Sequence, residues 1–231
     1  MAVFRLTRQL RFPDPGLADA DGLLAVGGDL SVKRLLLAYS MGIFPWFSDD
    51  SPILWWSPDP RLVLLPGDLR ITRSLRRTLK KNVFTVTFDR AFREVITACS
   101  CIPRRDGQGT WITPEMINAY CQLHEAGHAH SVESWHEGRL AGGLYGVALG
   151  SAFFGESMFS RATDASKVAL VHLVRRLVLW DFRIIDCQVT SAHMMSMGAH
   201  EMSRPDFLRI IGDARLQTAA PQGNWERCTA D

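Results

Sequence analysis

Three polar side chains stand in two otherwise apolar runs. Residues 183–189 read "RIIDCQV", a stretch with the content of a buried strand into which Asp186 and Gln188 are set two positions apart. Side chains alternate across a strand, so Ile184, Asp186 and Gln188 are expected on one face and Ile185, Cys187 and Val189 on the other. The second run, "FFGESMF", carries Glu156 between Gly155 and Ser157. Two carboxylates and a carboxamide brought together in an apolar region raise one another's proton affinity and attract a cation. The alternative for each acid alone is a structural pairing with a buried arginine or a backbone group.

A second constellation is cationic. In "TRSLRRTLKKN", Arg73, Arg76, Arg77, Lys80 and Lys81 recur at i, i+3, i+4, i+7 and i+8, one face of a helix, with Leu75 and Leu79 facing elsewhere. No acid lies between Asp68 and Asp89 to neutralise them. Like charges at this spacing destabilise a helix, so the stripe points to a partner rich in phosphates rather than to a merely solvated face. The apolar residues Trp46, Leu144, Phe153, Met158 and Leu173 are candidates to line a pocket. Such residues usually belong to the core, and Trp46, in the irregular "IFPWF", is the one least explained as filler.

Two motifs look chemical and are set aside. "HEAGH" matches the zinc-hydrolase signature through His124, Glu125 and His128, but its helix should end at Gly127, leaving His128 beyond the last turn. No metal site is expected. "SRATDAS", residues 160–166, sits where a helix N-terminus could hold a pyrophosphate, yet it contains no glycine for close backbone approach. Capping by Asp164 or Ser166 is the expected role.

The elements that must position these residues follow from pattern and punctuation. The 231 residues suffice for one large domain or a large and a small one, with 47% hydrophobic and 22% charged residues, the balance of an ordinary globular chain. Residues 1–62 are broken by glycine and proline and hold one convincing helix, 31–41, capped by Ser31 and stopped at Gly42. They are expected to form a small N-terminal domain, with 63–231 forming a larger one. There, strands are predicted at 63–65, 83–88 and 183–189, and helices at 73–81, at 90–99 with Asp89 as cap, and from Pro114 to a stop at Gly127 after the cap Thr113. A three-stranded meander with turns at Glu137-Gly138 and Gly150-Ser151 precedes a helix of 166–180. Short helical pieces at 191–197 and 205–211 and a polar tail with Trp225 complete the chain. If the 166–180 helix is a crossover, strand 183–189 lies parallel to strand 152–159, and Asp186 comes close to Glu156.

The five cysteines form no C-x-x-C pair, so reduced thiols are expected. The N-terminal residues lack a signal-peptide core, and no run approaches the length of a membrane span. A cytoplasmic protein is expected.

The stretches "FPDP", "GLLAVGGDLS", "AYSMGIFPWF", "PILWWSPDPR", "GTWIT", "HEAGHAHSVE", "GGLYGVALG", "FFGESMFSR" and "IDCQV" together resemble the leucyl/phenylalanyl-tRNA-protein transferases of the bacterial N-degron pathway. The resemblance implies an α+β fold in which the larger domain is acetyltransferase-like (GNAT-like), with a mixed sheet flanked by helices. It implies transfer of Leu, Phe or Met from aminoacyl-tRNA to proteins beginning with Arg or Lys; no cofactor is called for, and a monomer is expected. On that reading Glu156, Asp186 and Gln188 form an acidic acceptor site. Gln188 would orient the amine or polarise the ester, and Asp186, water or the ribose hydroxyls would take the proton. The apolar set would hold the donor side chain, Trp46 the terminal adenosine, and the stripe at 73–81 the acceptor-stem phosphates. A zinc-dependent hydrolase using "HEAGH" and a non-catalytic RNA-binding adapter are the competing readings.

Overall fold

The computed structural model describes residues 3–102, 111–214 and 223–227; Cys228 and the start of "GTWIT" lie outside them. Four short strands, β1 (Phe4–Leu6), β2 (Leu23–Gly27), β3 (Phe44–Pro45) and β4 (Leu54–Trp56), form one sheet in the order β1-β2-β4-β3. Helix α1 (Val32–Ser40) lies between β2 and β3, its first turn closed by the Ser31 hydroxyl, which accepts from the Arg34 N–H. Most of these strands are too short to leave an alternating pattern in the sequence.

The second sheet has seven strands: β5 (Arg61–Leu64), β6 (Thr85–Phe88), β7 (Ala129–His136), β8 (Arg139–Leu149), β9 (Ala152–Ser160), β10 (Ile184–Gln188) and β11 (His200–Met202). Their order is β11-β5-β10-β9-β8-β7-β6. β7, β8 and β9 form the expected antiparallel meander, with Glu137 and Gly138 both at positive φ in the first turn. Helix α5 (Ala165–Leu179) carries the chain from β9 to β10, and β10 pairs parallel with β9, as a crossover requires. β5 closes on the other side of β10 in antiparallel register.

The sheet divides two apolar layers, because alternate residues of one strand enter different ones. Val63 and Ile184 join a layer with α1, α3 (Phe92–Ser100), α4 (Pro114–Glu125) and α7 (Arg204–Ala214). Leu62, Leu64 and Ile185 join a layer with α5 and α2 (Arg73–Lys81), and Met194 of the short α6 (Ala192–Ser196) packs on it. This is the expected α+β arrangement, a mixed sheet flanked by helices.

Two capping expectations are corrected. Asp89 does not cap α3: its backbone turns to φ +56°, Ala91 occupies the cap position, and the carboxylate accepts instead from the His130 ring and the N–H groups of Ser131 and Trp225. Several buried donors outbid the one local N–H. Asp164 occupies the cap position of α5, but its carboxylate takes the Thr78 hydroxyl and the Lys167 ammonium, so it closes no α5 N–H.

Candidate active site

The site forms where two neighbouring strands cease to pair. The parallel ladder runs from Ile184 opposite Ala152 to Asp186 opposite Phe154 and ends there. Both strands bulge at that level. In β9, Ser157 faces Tyr145 and Gly155 faces Gly146, which leaves Glu156 as the extra residue. In β10, Asp186 faces Val63 and Gln188 faces Leu62, which leaves Cys187 extra. A bulge twists the strand locally and re-aims the side chains beside it. Gly146 is needed for the first, since a Cβ at that position would lie 2.3 Å from the Phe154 carbonyl oxygen.

The second bulge corrects the face assignment of Asp186 and Gln188. Gln188 takes φ +64°, a left-handed conformation that is strained for a side chain with a Cβ. Its N–H donates to Asp186 Oδ1 at 2.8 Å, and its Nε2 donates to Glu156 Oε1 at 2.8 Å. Asp186 itself accepts two bonds from Arg61, Nε to Oδ1 at 2.8 Å and Nη2 to Oδ2 at 2.7 Å. The Arg61 guanidinium lies between the rings of Phe44 and Phe207, at 4.8 and 4.6 Å from their centroids. Asp186 is therefore fully buried, neutralised, and absent from the cavity wall. It anchors the backbone of Gln188 and does not share an open acidic site with Glu156.

Glu156 has a different environment. Tyr39 donates to its Oε1 at 2.8 Å and Tyr120 to its Oε2 at 3.0 Å, and the two phenol oxygens also lie within hydrogen-bond distance of each other. Burial pushes the Glu156 carboxyl up to about 7, against the bonds from Tyr39, Tyr120 and Gln188, which favour the ionised form; the nearby Asp186 charge adds to the rise. The same burial, with the Glu156 charge, holds the phenols of Tyr39 and Tyr120 well above their ordinary range. They are donors at neutral pH.

Glu156 and Gln188 open on a largely apolar cavity of about 250 Å³. All five residues proposed for the pocket, Trp46, Leu144, Phe153, Met158 and Leu173, line it. Trp46 is 37% exposed at its rim, and its carbonyl accepts from Trp56 Nε1 at 2.7 Å. Sequence reasoning missed Trp111 and Tyr145 in the wall, and Tyr39, Tyr120 and Arg61 behind it. Tyr39 and Tyr120 left a usable signal: each lies on the buried side of a helix, where a phenol needs a partner. Arg61 left none, because its partner is 125 positions away.

The five cations of α2 are all exposed, and none forms an ion pair among the described residues. Leu75 is buried beneath them, as the spacing predicts, and Arg76 and Lys80 line a groove against His172 and Arg175 of α5. In "HEAGH", α4 ends at Glu125 and Gly127 turns at φ +80°, so the two histidines do not share a helical face. His124 bonds through Nδ1 to the Ala129 carbonyl oxygen and stacks on Phe92. Among the described residues no group of three His, Cys, Asp or Glu side chains is placed to hold a metal ion, and no helix is long and apolar enough to cross a membrane.

Residues 63–212 match the family described as leucyl/phenylalanyl-tRNA protein transferase, and residues 28–59 match its N-terminal domain. A leucyl/phenylalanyl-tRNA–protein transferase of Syntrophobacter fumaroxidans is 64% identical over 213 residues, covering 92% of this chain and 91% of the relative. One from Desulforapulum autotrophicum is 58% identical over 226 residues, covering 97% and 98%. Among solved structures, a GCN5-related N-acetyltransferase from Kribbella flavida is similar at a TM-score of 0.38 and 8% identity, over 72% of this chain and 59% of that one, a likeness too slight to argue from. With both regions matched and relatives aligned over nearly the whole length, the chain belongs to the leucyl/phenylalanyl-tRNA protein transferase family.

Proposed function

We propose that this chain moves Leu, Phe or Met from aminoacyl-tRNA to the α-amino group of proteins that begin with Arg or Lys, acting in the cytoplasm as a monomer of two units, 1–62 and 63–231. The observation that carries the reading is an apolar cavity closed by one carboxylate, Glu156, which no cation among the described residues neutralises and which titrates at about 7. The cavity takes the transferred side chain, and an apolar wall separates Leu, Phe and Met only weakly.

The aminoacyl ester is already activated, so the chemistry needs positioning and the transfer of one proton. The acceptor nitrogen attacks the ester carbonyl, the C–N bond forms, and the C–O bond to the ribose breaks. In becoming an amide N–H the ammonium loses two protons: one leaves to solvent by way of the base when the amine is made neutral, and the other ends on the released ribose hydroxyl. A free α-amino group titrates at about 7.7 to 8.0, so a carboxylate near 7 is well matched to receive its proton. Glu156 replaces Asp186 in that role. Gln188, which has an amide and no basic group, holds Glu156 and orients the amine. Asp186 and Arg61 hold Gln188. The α2 stripe supplies charge for the tRNA phosphates.

The test mixes purified protein with tRNA charged with labelled Leu or Phe and two peptides differing only in an N-terminal Arg or Ala. Label entering the Arg peptide alone, with EDTA without effect, is the expected result. Absence of transfer from both donors refutes the proposal, and transfer that EDTA abolishes favours the metal reading.

A further inference from the structure

The family match ends at residue 212, yet a residue beyond it is among the most deeply buried in the molecule. Trp225 is fully buried and packs in the same apolar layer as the cavity residues Leu144, Phe153 and Leu173. Its ring stacks on His130 with centroids 3.6 Å apart and planes 5° apart, and meets Trp180 edge-on at 4.9 Å. Its backbone is held at both ends: the N–H donates to Asp89 Oδ2 at 2.7 Å, and the carbonyl accepts from Arg176 Nη1 at 3.0 Å. Two residues earlier, Gly223 approaches Gly127 so closely that a Cβ on Gly127 would lie 3.0 Å from the Gly223 Cα.

The "HEAGHAH" stretch thus has a use that is not metal binding: Gly127 and His130 form part of the seat for Trp225. The seat is polar where it grips the backbone and flat where it grips the ring. Among the described residues the indole Nε1 has no hydrogen-bond partner, so what the position uses is the breadth of the ring.

The ring's other neighbour gives the position its meaning. Trp225 lies 6.1 Å, centroid to centroid, from Phe153, whose ring edge also rests on Gly146 and which lines the cavity. Phe153 is 1% exposed, so it is supported by protein and has no room to retreat. We infer that Trp225 is a specificity-determining buttress: by backing Phe153 it sets the depth of the cavity that receives the donor side chain. The inference rests on the proposed use of that cavity for aminoacyl donors. The residues that touch a ligand in an apolar pocket discriminate by roughly 10- to 200-fold per methylene, and an effect relayed through one ring is smaller.

The test is a competition in one tube between Phe-tRNA and Leu-tRNA for an Arg-initiated peptide, with wild type, Trp225→Phe and Trp225→Leu. Both donors meet the same enzyme molecules, so partial unfolding cancels from the ratio of products. Trp225→Leu leaves space behind Phe153 and should raise the Phe:Leu ratio by about threefold or more, with Trp225→Phe intermediate. An unchanged ratio with a lowered melting temperature would make Trp225 a clamp for the tail alone and overturn the inference, as would a ratio shifted toward Leu. Failure of the wild type to use either donor would instead remove the proposed function on which the inference depends.

Discussion

Replacing Glu156 by glutamine separates the chemistry of the site from its stability. In the folded chain the carboxyl titrates near 7 against an ordinary 4.5, so the native state keeps a proton that the unfolded chain releases between those values. Stability therefore falls as pH rises from about 4.5 to about 7 and is flat above. At about 1.36 kcal/mol per pH unit of displacement, the total is on the order of 3 kcal/mol. Glutamine has the same shape, with an oxygen that accepts from one phenol and an Nε2 that donates to the other. Glu156→Gln should fold, lose this decline, and be more stable than wild type at about pH 8 by up to the same amount. It cannot accept the amine's proton, and loss of a general base lowers turnover by about 10²- to 10⁴-fold. Urea melts at about pH 5 and about pH 8, with initial rates of labelled Leu transfer between them, measure both effects. A wild-type rate without an inflection near 7, or a Glu156→Gln variant within tenfold of wild type at about pH 7, would refute the assignment of the base.

Three further outcomes are expected. Tyr120→Phe removes a bond that favours ionised Glu156, so the inflection of the wild-type pH–rate profile should move to higher pH; a shift downward would contradict the hydrogen-bond argument. Asp186→Asn leaves Arg61 buried without its counter-charge, which should cost about 3 to 5 kcal/mol in urea unfolding and abolish transfer while charged tRNA is still retained on a filter. Near-normal turnover by the folded variant would remove Asp186 and Arg61 from the mechanism. Replacing Arg76 and Arg77 by alanine should weaken tRNA binding and reduce the slope of log affinity against log salt by about one for each phosphate no longer neutralised, and an unchanged slope would exclude the α2 stripe from the interface.

The larger sheet's meander, the crossover helix and the parallel pairing of β9 with β10 were legible from periodicity and turn residues, because each is a local pattern repeated over many positions. So were the stripe on α2 and the apolar lining of the cavity, which keep the spacing of their elements. The four-stranded N-terminal sheet was not, since most of its strands span two or three residues.

Within the site, the local sequence determined that a glutamate, an aspartate and a glutamine would be carried on two neighbouring strands. Tertiary structure decided which of them faces the cavity. One bulge in β9 and a left-handed Gln188 in β10 break the alternation on which any strand reading depends. Arg61, from a strand 125 positions away, claims Asp186, while Tyr39 and Tyr120, from two different helices, enclose Glu156. Charge compensation and desolvation depend on what surrounds a group in space, and no spacing along the chain encodes them; two carboxylates alike in sequence thereby become a neutralised anchor and a titrating acid.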